Sequence, residues 1–162
     1  MRIGSTRVLV VDDYEPWRHF VSAALRSEPD LEIISQASDG AEAVRQACQL
    51  QPDLILLDIG LPKINGIEAS SRIRECSPQS KILFLTENRS RDIAEAALAT
   101  GAGGYVVKSD AGSELVPAIR SVLEGKRFVS ASLAGYFLLA ATLTTAQTVH
   151  MSWLMTLIAG IG

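Results

Sequence analysis

The residue order predicts an α/β fold in which a parallel sheet carries helices on both faces. Three observations predict it. Short apolar runs recur at Arg7 to Val11, Leu31 to Ala37, Leu54 to Leu57, Lys81 to Leu85 and Tyr105 to Val107. Segments with helical apolar spacing stand between them. Strand and helix therefore alternate five times, which implies right-handed crossovers and a doubly wound parallel sheet. Finally, four of the runs end in Asp12-Asp13, Asp58, Thr86 and Lys108. Such residues would project together at the carboxyl edge of the sheet, where open α/β folds place their chemistry.

The elements follow in order. Arg7 to Val11 reads as the first strand, and Pro16 suits the first turn of a helix, where its missing N–H costs nothing. Trp17, Phe20, Val21, Ala24 and Leu25 give that helix one apolar face. Pro29-Asp30 breaks the chain, and Ile33 and Ile34 favour a strand over Leu31 to Ala37. After the turn Ser38-Asp39-Gly40, a helix over Ala41 to Leu50 turns Ala43, Val44, Ala47 and Leu50 inward. Leu54 to Leu57 is short and unbroken, as expected for a strand buried on both faces. The loop behind it is punctuated by Gly60, Pro62 and Asn65-Gly66. A short helix over Ile67 to Glu75, with Ile67 and Ile73 as core candidates, closes at Ser77-Pro78. Lys81 to Leu85 precedes an alanine-rich helix over Asp92 to Thr100, which ends at glycines 101, 103 and 104. Tyr105 to Val107 is the last run. Leu115, Val116, Ile119, Val122 and Leu123 then form an amphipathic helix that Gly125 stops.

Composition narrows the function. At 162 residues the chain has room for one domain with a full core and a short extra segment. Its net charge of −3 argues against a nucleic-acid footprint. Cys48 and Cys76 have no metal-ligand spacing, and free thiols in a reducing compartment are expected. No secretory signal is expected, since the start carries no long apolar stretch.

Three carboxylates at one sheet edge repel each other. Two unit charges about 4 Å apart cost about 4 kcal/mol at an effective dielectric near 20. A divalent cation relieves this, and clustered carboxylates with a backbone carbonyl and waters suit Mg²⁺. Lys108 adds a positive charge opposite. One carboxylate is then left as a nucleophile, for which an aspartyl phosphate is a known fate. Metal and Lys108 would neutralise phosphoryl oxygens, and Thr86 offers a hydroxyl donor. Taken singly, each residue has a plain structural role: Asp58 could cap the next helix, Tyr105 could pack at a strand edge, and Lys108 could be a solvated charge.

In combination these residues resemble the receiver domain of bacterial two-component response regulators. The matching pieces are Asp12-Asp13 after the first strand, Asp58 followed by Leu61-Pro62 and Asn65-Gly66, Thr86 after the fourth strand, and Tyr105 three residues before Lys108. The resemblance covers residues 5 to 127. It implies a flavodoxin-like (βα)5 sheet of order 2-1-3-4-5. It implies Asp58 as phosphoacceptor, with Mg²⁺ held by Asp12, Asp13, Asp58 and the Gly60 carbonyl. Thr86 and Lys108 would contact the phosphoryl group, and Thr86 and Tyr105 would form the switch pair. The implied partners are a histidine kinase and an unidentified downstream protein, in the cytoplasm. Glu87 and Ser109 depart from the family pattern. A carboxylate at Glu87 would repel the phosphoryl group unless it points away. Gly60 leaves the metal-carbonyl position without a side chain.

Every Asp, Glu, Lys and Arg lies at or before Arg127, so residues 128 to 162 form an uncharged, apolar tail, expected to be helical. The Gly125 to Ser130 stretch resembles the exit toward a helix-turn-helix domain. The remaining tail is too short for one and has no Lys or Arg to meet phosphate, so no direct nucleic-acid binding is expected. Three readings of the tail stand side by side. It packs on the receiver or on a second copy; it enters the membrane from the cytoplasmic face, with Lys126 and Arg127 outside the hydrocarbon; or it is unshaped by selection. The expected function is a phosphorylation-dependent signalling switch, catalysing only its own phosphoryl transfer. The alternatives are a docking scaffold that is never phosphorylated and a flavin or nucleotide enzyme. The latter is disfavoured, because no phosphate-binding loop follows the first strand.

Overall fold

The computed structural model describes residues 4–135. Much of the tail, residues 136–162, lies outside them, and so do the readings of it as a packed, membrane or unshaped segment. Among the described residues no helix is long and apolar enough to cross a membrane.

The elements are β1 Thr6–Val11, α1 Glu15–Leu25, β2 Leu31–Ala37, α2 Gly40–Leu50, β3 Leu54–Leu57, α3 Gly66–Cys76, β4 Lys81–Thr86, α4 Arg91–Ala99, β5 Gly104–Val107, α5 Ala111–Leu123 and β6 Phe128–Val129. A single 3-10 turn, Lys108–Asp110, leads into α5. The strands form one sheet of order β2-β1-β3-β4-β5-β6, and every pairing is parallel. The flavodoxin-like order expected from the resemblance is therefore present. It is extended by one strand beyond Arg127, so the uncharged segment begins inside the sheet rather than in a helix. Ser130 ties this strand down, because its N–H donates to the Tyr105 carbonyl at 2.9 Å. Its hydroxyl also accepts from the Val107 N–H at 2.8 Å. Residues 131–135, which follow, are helical.

The central strands are wholly buried, which is why they read as unbroken apolar runs. Val8, Val10, Leu54, Leu56, Leu83, Leu85 and Val106 meet Val21 and Leu25 of α1 and Leu115, Ile119 and Val122 of α5 on one face. The alternate residues of the same strands point the other way. On α1 the expected inward face is narrower than its spacing suggests. Phe20 stands exposed and stacks on Trp17 instead, with ring centroids 4.6 Å apart.

Helices α2 and α3 lie side by side. Their buried positions are small: Gly40, Ala43 and Ala47 on one, Gly66, Ala69 and Ser70 with Ile73 on the other. This closeness corrects the expectation of two free thiols. Cys48 and Cys76 sit at the neighbouring C-terminal ends with Cα atoms 5.2 Å apart, and they are joined in a disulfide. Residue spacing along the chain did not show it, because the two helices meet only through their crossovers.

Glycine is required where the loop after β3 seats on these helices. A Cβ at Gly66 would lie 2.0 Å from the Asp58 carbonyl oxygen, and one at Gly40 would lie 2.0 Å from the Ile64 carbonyl oxygen. At Gly60 nothing lies within 4 Å. Gly66→Ala is therefore expected to cost about 1–3 kcal/mol through overpacking, and Gly60→Ala less than about 0.5 kcal/mol. Urea denaturation of the two variants checks the contrast, and equal midpoints would contradict it.

Candidate functional site

The parallel register sets the site. Val11 pairs with Leu57, so Asp12 and Asp58 leave adjacent strands at the same level. Thr86 pairs with Val107, so Lys108 begins one residue beyond. Asp12 and Asp58 are buried, at 2 % and 7 % exposure, whereas Asp13 faces solvent. One ligand oxygen from each of the three lies within 4.8 Å of the others. The acidic cluster read from the sequence is thus assembled.

Lys108 bridges two of its members. Its Nζ lies 2.6 Å from Asp12 Oδ2 and 3.1 Å from Asp58 Oδ2. The ammonium also stands 5.1 Å from the centre of the Trp17 ring, a cation–π contact that the residue order did not suggest. Burial pulls the Lys108 ammonium down, but the hydrogen bond to Asp12 and the charges of Asp58 and Asp12 outweigh it, so it ends above its ordinary value. Asp12 moves up as well. Burial raises its carboxyl, and the nearby Asp58 adds to that, beyond what the hydrogen bonds from Lys108 and the Tyr14 N–H return. That N–H donates to Asp12 Oδ1 at 2.9 Å.

Asp58 Oδ1 accepts from the Ile59 N–H at 2.7 Å and, more weakly, from the Gly60 N–H at 3.4 Å. The following loop is held by Asn65, which caps α3 by accepting from the Glu68 N–H at 2.9 Å. An open cavity of about 650 Å³ stands over the cluster, lined by Asp13, Asp58, Gly60, Thr86, Glu87 and Lys108 among others. Glu87 is exposed at its mouth.

Thr86 and Tyr105 are both buried, and both lead to Asn88, a residue that sequence reasoning passed over. The Tyr105 hydroxyl donates to the Asn88 carbonyl at 2.8 Å, and Thr86 Oγ1 accepts from the Asn88 N–H at 3.4 Å. Burial, with the Asp58 charge behind it, pushes the Tyr105 phenol up to about 12. The link to Thr86 and Tyr105 runs through the Asn88 backbone, while its side-chain Oδ1 accepts from the Ser90 N–H at 2.8 Å. Its position two residues past the end of β4 was the only available signal.

The Asp12 shift has a stability consequence. A pKa raised in the folded state means that folding favours the protonated carboxyl. This stabilisation is complete below the unfolded value near 3.8 and is lost as pH rises through the folded one. Asp12→Asn keeps an acceptor for Lys108 and for the Tyr14 N–H without the charge. Without divalent metal, the variant is expected to be more stable than the parent at neutral pH, with the gap closing as pH falls toward 4. Denaturation midpoints across that range decide it, and a pH-independent gap would contradict it.

A family model described as the response regulator receiver domain matches residues 8–120. The chain is 37 % identical over 129 residues to the transcriptional regulatory protein LiaR of Bacillus subtilis, covering 80 % of this chain and 61 % of LiaR. It is 34 % identical over 128 residues to the response regulator GacA of Pseudomonas viridiflava, covering 79 % of this chain and 60 % of GacA. It therefore spans about three fifths of the length of these relatives. Among solved structures, a two-component response regulator of the LuxR family from Aurantimonas sp. SI85-9A1 superposes with a TM-score of 0.77 at 33 % identity, covering 82 % of this chain and 94 % of that one. The response regulator domain of Thermotoga maritima CheB gives 0.69 at 30 % identity, covering 74 % and 97 %. Sheet order, acidic cluster and these matches agree: the chain belongs to the response regulator receiver domain family.

Proposed function

We propose that this receiver accepts a phosphoryl group on Asp58 from a histidine kinase and acts as a signalling switch. The observation that carries the reading is the Asp58 carboxylate, held at the end of β3 between the Lys108 ammonium and the Asp12-Asp13 pair, beneath an open cavity. The three carboxylates fit a small hard cation that keeps several waters, as Mg²⁺ does. Asp12, Asp13 and Asp58, with the Gly60 carbonyl, would hold it, and it would supply positive charge for phosphoryl oxygens.

The chain's own groups do the rest. Asp58 provides the nucleophilic oxygen. Lys108 is already in contact with Asp58 and would offer its ammonium to the phosphoryl group. The Thr86 hydroxyl sits on the same cavity and would donate to it. In doing so it would leave the Asn88 N–H, whose carbonyl holds the Tyr105 hydroxyl. This gives the proposed switch pair a physical link: Thr86 and Tyr105 share one peptide segment. The downstream partner, a possible second copy of the chain and the cytoplasmic location belong to this reading. So does the division into a receiver over residues 5–127 and a tail over 128–162; the hydrogen bonds of β6 and Ser130 to β5 support counting residues 128–130 with the receiver.

Labelling by acetyl phosphate with Mg²⁺ tests the site. Asp58→Asn is expected to remove labelling entirely, and equal labelling of that variant would sink the assignment. Asp13→Ala is expected to weaken Mg²⁺ binding at least about tenfold while leaving the fold intact. Titration calorimetry with Mg²⁺ reads this directly, and unchanged affinity would remove Asp13 from the ligand set.

A further inference from the structure

Cys48 and Cys76 lie away from the acidic cluster, and nothing in the phosphoryl reading uses them. We propose that they form a redox modification site. Their oxidation by a low-molecular-weight disulfide pins α2 to α3 and thereby steadies the loop that follows Asp58. This inference stands apart from the proposed phosphoryl chemistry.

Geometry supplies the first part. The two Cα atoms are 5.2 Å apart, inside the range a disulfide spans without backbone movement. Both residues are half-buried, so a small oxidant can reach one sulfur. The sequence contains only these two cysteines, so no third thiol competes. The reduced pair would also stay in register, because a second clamp spans the same helix ends. Gln51 adopts a left-handed conformation with φ 48° at the end of α2. From there its side-chain amide donates to the Cys48 carbonyl at 2.8 Å and to the Cys76 carbonyl at 3.0 Å.

The chemistry balances as exchange. One cysteine thiolate attacks the small disulfide and releases one small thiolate, forming a mixed disulfide. The second cysteine thiolate displaces the other small thiolate. Two protein thiols are oxidised, one small disulfide is reduced to two thiols, and the two cysteine protons end on those thiols. Disulfides in reducing compartments are usually transient and redox-sensing, which is the use this pair fits.

The opposite ends of the same helices bracket the loop. At the start of α2, the Gly40 N–H donates to the Pro62 carbonyl at 3.3 Å. Asp39, which caps that helix, accepts from Lys63 Nζ at 2.8 Å. At the start of α3, the Gly66 N–H donates to the Ile59 carbonyl at 2.9 Å. The segment from Ile59 to Gly66 thus rests on two helix starts whose far ends carry the cysteines. A covalent bond there restricts splaying of the two helices, and the loop is the element that splaying would loosen.

Hydrogen exchange of the full chain in reduced and oxidised glutathione tests this. Mass spectrometry should show the loss of two hydrogens in the oxidised buffer, reversed on reduction. Amides of Gly40, Leu61 and Gly66 should exchange at least about threefold more slowly when oxidised, with those of Tyr105 and Val107 unchanged. The Cys48→Ser, Cys76→Ser double variant should exchange alike in both buffers. Thiols that stay free in the oxidised buffer would overturn the proposal. Protection that rises evenly across the sheet would also overturn it, showing a plain cross-link with no preferred loop.

Discussion

The contact of Lys108 with Asp12 and Asp58 is the constraint on which the rest of the structure depends. Two buried carboxylates at this separation are unfavourable by several kcal/mol without a counter-charge. The ammonium comes from a third strand, so the balance exists only when β1, β3 and β5 end at matched heights. Removing the Lys108 ammonium would leave both buried carboxylates without a counter-charge, at a cost of about 3–5 kcal/mol. Register, normally a matter of core packing, is therefore also enforced electrostatically at the carboxyl edge. The site and the fold share one requirement.

Small residues carry that requirement outward. Gly66 and Gly40 let two helix starts press against the backbone of the loop after Asp58, with no side chain between. Ala43, Ala47, Ala69 and Ser70 let the same two helices close on each other. The loop after Asp58 is consequently supported by backbone against backbone. Its shape is set by helix placement more than by its own residues, which is why Gly60 can face open space while its neighbours cannot.

Much of this was legible in the residue order. A polar or charged residue that ends an apolar run is visible as such, so the residue order alone puts Asp12, Asp58, Thr86 and Lys108 at one edge. Strands buried on both faces leave an equally plain mark. What stayed hidden depended on which elements become neighbours. The cysteine pair needs α2 beside α3, and spacing along one chain does not encode that. Phe20 obeys helical spacing yet stands exposed, because the stripe it belongs to is wider than the sheet it covers. Asn88 acts through its peptide groups, which every residue owns. A two-residue strand such as β6 is shorter than any periodic pattern can reveal.

That last strand has a mechanical consequence. β6 is hydrogen-bonded to the strand that carries Tyr105 and ends just before Lys108, and Ser130 grips both Tyr105 and Val107 through their backbone. The polypeptide therefore leaves the sheet from the strand beside the one that leads into Lys108. A small slide of β5 along its axis would pull directly on whatever is attached after Ser130, as a cord tied to a piston rod is pulled, without any docking surface having to form or dissolve.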